Sequence, residues 1–219
     1  MTETRAATRR HRRPTPRPAV PESPSLDLLP ADFATSMKMI VAGGFGVGKT
    51  TFINSVSEIP PVSTEATLTQ ASEDIDDTTD VPDKLTTTVA MDFGRITIAE
   101  DMVLYLFGTP GQERFLFMWD ELCRGALGAI VLADTRNLDK CFAALDYLDG
   151  AEVPYVVTVN QFDGEKRYRI EDVRNALSLD EDIPVLSCDA RDRASVGRVL
   201  LELSQYLMLR QRSAWRRGA

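Results

Sequence analysis

Apolar residues along this chain gather in short, nearly unbroken runs, separated by longer segments in which they recur every three or four positions. MKMIVA (37–42), GAIVLAD (128–134), YVVTVN (155–160) and IPVLSC (183–188) are runs of the first kind, rich in β-branched residues. Strands buried on both faces of a parallel sheet read this way. VAMDFGRITI (89–98) and MVLYLF (102–107) are two further strand-like runs, joined by Ala99-Glu100-Asp101 as in a β-hairpin. Helical patterns fall over Lys49–Ser57, Glu113–Cys123, Leu138–Leu148, Ile170–Leu177 and Ala194–Leu209. The alternation predicts an α/β three-layer sandwich around a mostly parallel six-stranded sheet, which places ligand loops at the carboxyl ends of its strands.

Where the pattern lapses, the chain divides. Residues 1–35 are rich in Pro and Arg and poor in large apolar groups until Leu26, so they are expected to be a disordered basic tail. Residues 36–209 carry the predicted domain, interrupted at 58–86 by a long polar connection without periodicity. Residues 210–219 form a basic C-terminal extension with four arginines and no acid. A loop as long as the one over 58–86 is usually functional or disordered.

Charge and composition narrow the classes. The net charge of −8 conceals basic ends and an acidic middle, with eight acidic side chains and one lysine over 57–84. Such a middle repels phosphate backbones, so no nucleic-acid partner is expected. No apolar run approaches the ~18 residues of a membrane span, which argues against an integral membrane segment. The three cysteines are far apart and the single histidine, His11, lies in the tail, leaving no His/Cys metal spacing and suggesting a reduced, cytoplasmic protein. The basic ends suit an acidic partner or the inner face of a membrane, although a solvated tail is the plainer reading.

One stretch carries strong chemistry. Gly43-Gly44-Phe45-Gly46-Val47-Gly48-Lys49-Thr50 fits G-x-x-x-x-G-K-S/T, between a predicted strand and a predicted helix. Glycines let backbone N–H groups converge on phosphate oxygens, Lys49 neutralises the outer phosphates, and the Thr50 hydroxyl suits Mg²⁺. Thr51 follows in the first helical turn. This is a nucleotide cradle.

In this order, GGFGVGKTT, TTTVAMDFGRITI, GTPGQERF, RGALGAIVLADT, NQFD and CDARD resemble the signature elements of Ras-like small GTPases over residues 37 to about 209. They resemble in particular the bacterial Ras-like proteins of actinobacterial conservon operons, relatives of the gliding-polarity GTPase. The resemblance implies a Ras-like G domain that binds GTP and GDP with Mg²⁺, hydrolyses GTP slowly and acts as a signalling switch. It also implies a roadblock-type regulatory protein and a sensor-kinase-like membrane protein as partners, with a possible peripheral location at the inner face of the membrane. A nucleotide-binding regulatory scaffold with little or no hydrolysis is the alternative from another class, and an ATP-binding protein stands behind it.

Carried over residue by residue, the resemblance assigns the base to two loops. Asn160 ties its loop to the phosphate loop, Gln161 partly covers the ring, and Asp163 accepts from guanine N1 and N2. The second loop has two registers, Ser187-Cys188-Asp189 or Asp189-Ala190-Arg191. The second is preferred, with the Ala190 N–H on guanine O6 and Arg191 in the place of the usual lysine. Thr88, expected just before the second strand, joins Thr50 on the metal, with Thr86 and Thr87 as alternatives in another register, while residues 58–86 become an acidic first switch. Gly111 offers its N–H to the γ-phosphate, and Gln112 positions the attacking water beside Lys49, the other catalytic residue.

Two departures stand out. The aspartate that family members place at the start of D-x-x-G-Q is Gly108 here, which removes one contact to the metal. Thr109 or Asp92 would have to compensate. Phe45 occupies a position where many relatives have glycine, and it would obstruct an arginine inserted by an activating partner.

Overall fold

The computed structural model describes residues 35–60, 62–69, 86–111, 113–165 and 167–218. Residues 1–34 of the tail expected over 1–35, and residues 61 and 70–85 of the expected acidic connection, lie outside them.

All six expected strands form. They are β1 (Thr35–Gly43), β3 (Thr86–Ala99), β4 (Met102–Gly108), β5 (Gly128–Ala133), β6 (Tyr155–Asn160) and β7 (Val185–Cys188). A seventh, β2 (Val62–Thr69), lies inside the segment expected to be loop, and it corrects that expectation. VSTEATLT is rich in β-branched residues, and its full length pairs antiparallel with the start of β3, from Val62–Phe93 to Thr69–Thr86. Flanking prolines and acids masked that strand signal in the sequence. The sheet runs β2-β3-β4-β1-β5-β6-β7. β1, β4, β5, β6 and β7 are parallel, and β2 and β3 are antiparallel to their neighbours.

Helices cover both faces and so complete three layers. On one face α1 (Lys49–Val56) and α5 (Arg193–Gly218) pack Phe52, Ile53, Val196, Val199 and Leu203 against Val41, Leu106 and Ile130 of the sheet. On the other, α2 (Trp119–Cys123), α3 (Phe142–Gly150) and α4 (Ile170–Ala176) pack Trp119, Leu145, Leu148 and Val173 against Ile40, Val131 and Val157. Strands β5 and β6 are buried along their whole length, as their unbroken apolar runs require. Single 3-10 stretches, Glu113–Met118 and Leu138–Cys141, open α2 and α3, so those two helices begin later than the periodicity predicts. α5 runs on through the basic extension as one helix, with Met208, Leu209 and Trp215 exposed beyond its core-facing turns.

Candidate functional site

The glycine loop bridges the carboxyl end of β1 and the start of α1. Gly43, Gly46 and Gly48 hold φ of 131°, 76° and 103°, a backbone region that side chains strain. Gly48 serves as the N-cap of α1, and its carbonyl accepts from Phe52 N at 2.8 Å. At Gly44 the limit is space, since a Cβ would come 2.6 Å from the Lys140 Cβ. Val47 is buried, while Phe45 is 71 % exposed at the loop's outer edge.

Lys49 is buried and donates from Nζ to the carbonyls of Gly43 and Gly44, both at 2.9 Å. Burial lowers its pKa to about 8, against the opposing pull of the Asp92 carboxylate. Gly111 reaches the same place, for a Cβ on it would lie 2.7 Å from Lys49 Nζ and 2.7 Å from Phe45 N. Only glycine lets the loop after β4 approach the phosphate loop this closely. Between the two loops is a cleft of about 200 Å³, lined by Gly43, Gly44, Phe45, Pro110, Gly111 and Trp119. Gln112 lies outside the described residues.

Thr50, exposed in the first turn of α1 with Thr51 beside it, donates from Oγ1 to Asp92 Oδ2 at 2.7 Å. Asp92 stands on β3, one residue beyond the Phe93–Phe107 pair and therefore opposite Gly108. A Cβ added to Gly108 would sit 2.9 Å from the Asp92 Cβ and 3.1 Å from its Oδ2. The Asp92 carboxylate, on the neighbouring strand, thus borders the space that a side chain at position 108 would enter. Thr109, the other candidate, is buried with its N–H on the Val41 carbonyl at 2.9 Å, and its hydroxyl has no hydrogen-bond partner among the described residues.

Thr88 is not at a strand entrance as expected. It lies within β3, with its backbone opposite Thr67. The unforeseen β2 extends the ladder past it, which is the physical reason for the difference.

At the base end, Asn160 is buried at the tip of β6 and donates from Nδ2 to the Val47 carbonyl at 2.9 Å, so it does tie its loop to the phosphate loop. Its Oδ1 accepts from Ala190 N at 3.0 Å. That N–H, expected on guanine O6, is directed onto Asn160 here. Gln161 turns its amide onto the Ser187 hydroxyl rather than over a base. Asp163 is paired through both carboxylate oxygens with Arg191, NH1 to Oδ2 at 2.5 Å and NH2 to Oδ1 at 2.9 Å. Asp189 grips the same guanidinium from the other side, accepting from Nε and NH2 at 2.9 Å. Hydrogen bonds from Arg191 hold Asp163 below its ordinary pKa and Asp189 down to about 2.

Sequence reasoning missed one brace of this loop. Arg136, just past β5, stacks 3.8 Å over the Phe162 ring and makes a two-pronged contact with Asp134. Burial pushes the Asp134 carboxyl up, but hydrogen bonds from Arg136 outweigh it and the net shift is downward. The sequence signal was an aspartate and an arginine two apart at a strand end.

A glycine cradle between β1 and α1, with polar loops after β6 and β7 joined to it by Asn160, defines a P-loop nucleotide-binding domain of Ras-like architecture. Residues 41–209 match the family described as "Conserved hypothetical ATP binding protein", and the chain belongs to that family. An uncharacterized protein of Methanocaldococcus jannaschii is 31 % identical over 130 residues, covering 58 % of this chain and 71 % of the relative. The Ras-related protein Rab-7b of Bos taurus is 28 % identical over 189 residues, covering 81 % and 84 %. Among solved structures, the G domain of FeoB from Methanococcus jannaschii superposes with a TM-score of 0.53 at 12 % identity, over 80 % of this chain and 99 % of that one. The cytosolic domain of the T. maritima FeoB iron transporter in a GDP form gives 0.56 at 18 %, over 79 % of this chain and 64 % of that one. At such identities these structures bear on the fold alone.

Proposed function

We propose that this protein is a guanine-nucleotide switch that binds GTP and GDP and hydrolyses GTP slowly in bacterial signalling. The observation that carries the reading is Asn160, whose single amide bonds Val47 of the phosphate loop and Ala190 of the base loop. This tie supports reading Asp163, three residues on in the same loop, as the carboxylate that meets the base. Guanine offers two N–H donors to such a group, whereas adenine leaves it facing an acceptor. Relatives named as Ypt/Rab-type GTPases, 27 % identical over 192 residues, support the same base.

A bound nucleotide with its divalent cation supplies the phosphate chain and the charge that holds Thr50 and its neighbours in order. The chain's own residues fit that group. Lys49 neutralises phosphate from a buried position, and the glycine N–H groups receive its oxygens. The Thr50 hydroxyl and the Asp92 carboxylate, already 2.7 Å apart, would hold Mg²⁺. Asp92 replaces the aspartate missing at Gly108. Thr88 would join them in holding the cation if the β2–β3 ladder opened, and Gln112 would orient water. Exposed Phe45 screens the route of an inserted arginine, which keeps hydrolysis slow. Roadblock-type and sensor-kinase-like partners, as in conservon systems, complete the proposal.

The family's description favours a second reading, ATP binding, and one observation sides with it: both oxygens of Asp163 are engaged by Arg191. A competition titration separates the two. Fluorescent GDP is displaced with GDP, GTP or ATP in Mg²⁺, on the wild type and on Asp163→Ala. Displacement by guanine nucleotides alone, with that preference lost in the variant, supports the switch. Equal displacement by ATP, or indifference to Asp163, assigns the cradle to an ATP-binding protein.

A further inference from the structure

Arg191 and guanine present the same face to a carboxylate. The N1–C2–N2 edge of guanine is a planar fragment with two parallel N–H donors, and so is the NH1–NH2 edge of a guanidinium. Arg191 sets that edge on Asp163, filling both oxygens at 2.5 and 2.9 Å. It is anchored for the purpose by Asp189, which accepts from Nε and NH2 at 2.9 Å and from the Arg191 backbone N–H at 3.0 Å.

We propose that Arg191 is a built-in competitor for the base site, occupying Asp163 as a stand-in for guanine and retreating onto Asp189 when the base enters. The inference rests on the guanine reading of the preceding subsection. Two structural facts make the exchange feasible. The partners are substantially exposed, with side-chain exposures of 53 % for Arg191 and 84 % for Asp163. Release also costs little because the hold on Asp189 remains, so the guanidinium is never left unpaired. An occupied reader lowers apparent affinity by the fraction of molecules in which it is free, and it acts chiefly on association. Arg191 thereby sets how strongly the protein prefers guanine, although it need not touch the base.

The test is a titration of fluorescent GDP and fluorescent ADP against wild type, Arg191→Ala and Arg191→Lys, each also in an Asp163→Asn background. Arg191→Ala is expected to tighten GDP by up to about fivefold, the span of exposed ion pairs, through a faster association rate. Arg191→Lys, which cannot fill both oxygens, tightens it less and keeps the loop's charge if the alanine variant folds poorly. Neither change improves ADP, and in the Asp163→Asn background neither improves GDP, because there is no carboxylate to release. GDP binding that weakens or stays constant in both variants overturns the proposal and leaves Arg191 as a lid on the base or a loop brace. A wild type without preference for GDP over ADP, unmoved by Asp163→Asn, overturns the guanine reading and this inference with it.

Discussion

The two ends of the nucleotide site are built on opposite plans. The phosphate end is made of backbone: three glycines at positive φ, a helix N-terminus, and one buried lysine held by two carbonyls. The base end is made of side chains, an exposed arginine between two aspartates, hung on the buried Asn160. A backbone cradle has one geometry and one ligand chemistry. A side-chain group can be engaged from within, as Arg191 engages Asp163, so its motif alone says less about what it does at a given moment.

The sharpest way to break the contrast is to remove charge from the rigid end. Lys49→Met is expected to weaken both GDP and ADP by about 100-fold or more, since a charged donor to phosphate in a buried site is lost. The melting temperature of the nucleotide-free protein should hardly move. Desolvation of the ammonium opposes its charge there, so relief of that cost offsets the two lost hydrogen bonds. A large fall in melting temperature with little change in affinity would make Lys49 a structural brace instead.

The next effect probes the seam between strands. Installing the aspartate of Ras-like GTPases, Gly108→Asp, places a second carboxylate against Asp92, whose Cβ and Oδ2 lie 2.9 and 3.1 Å from the new Cβ. Crowding and like charge are expected to destabilise the protein by about 1–3 kcal/mol and to disturb the Mg²⁺ dependence of GDP release. The exchange Asp92→Gly with Gly108→Asp returns one carboxylate to the same space and should restore both. Thermal melts and Mg²⁺ titrations of the release rate would read this out. A neutral single variant would mean that Asp92 does not fill that role.

How much of this was legible in the sequence follows from the same division. Runs such as GAIVLA and YVVTVN can only be strands covered on both faces, and the cradle's spacing announces a backbone structure, so fold and phosphate site were both readable. β2 was not, because VSTEATLT sits between Pro60-Pro61 and an acidic stretch that reads as loop. The nearness of Asp92 to position 108 was open only as an alternative, because the two residues meet through hairpin register and not through spacing. The occupation of Asp163 was invisible. Arg191 and Asp163 belong to separate loops, and no one-dimensional pattern states that their side chains meet.

The smallest effect distinguishes the two ends by pH alone. Free Lys49 titrates at about 8, well below an ordinary lysine, because burial disfavours its charge. Phosphate binding favours the charged form, so Lys49 takes up a proton as the nucleotide binds, and affinity falls as pH rises through the free-state value. Between pH 7 and 8 the protonated fraction drops from roughly nine-tenths to one-half, a loss of about twofold in affinity. The base end contributes nothing in that window. Asp163 and Asp189 are both held below the ordinary carboxylate range by Arg191, and Arg191 is itself raised by them, so all three keep their charges throughout. GDP affinity measured from pH 7 to 8 should therefore decline by the same factor in wild type and in Asp163→Asn, and should be flat in Lys49→Met. A slope that disappeared with Asp163 instead would place the titrating group at the base end and reverse the contrast between the two.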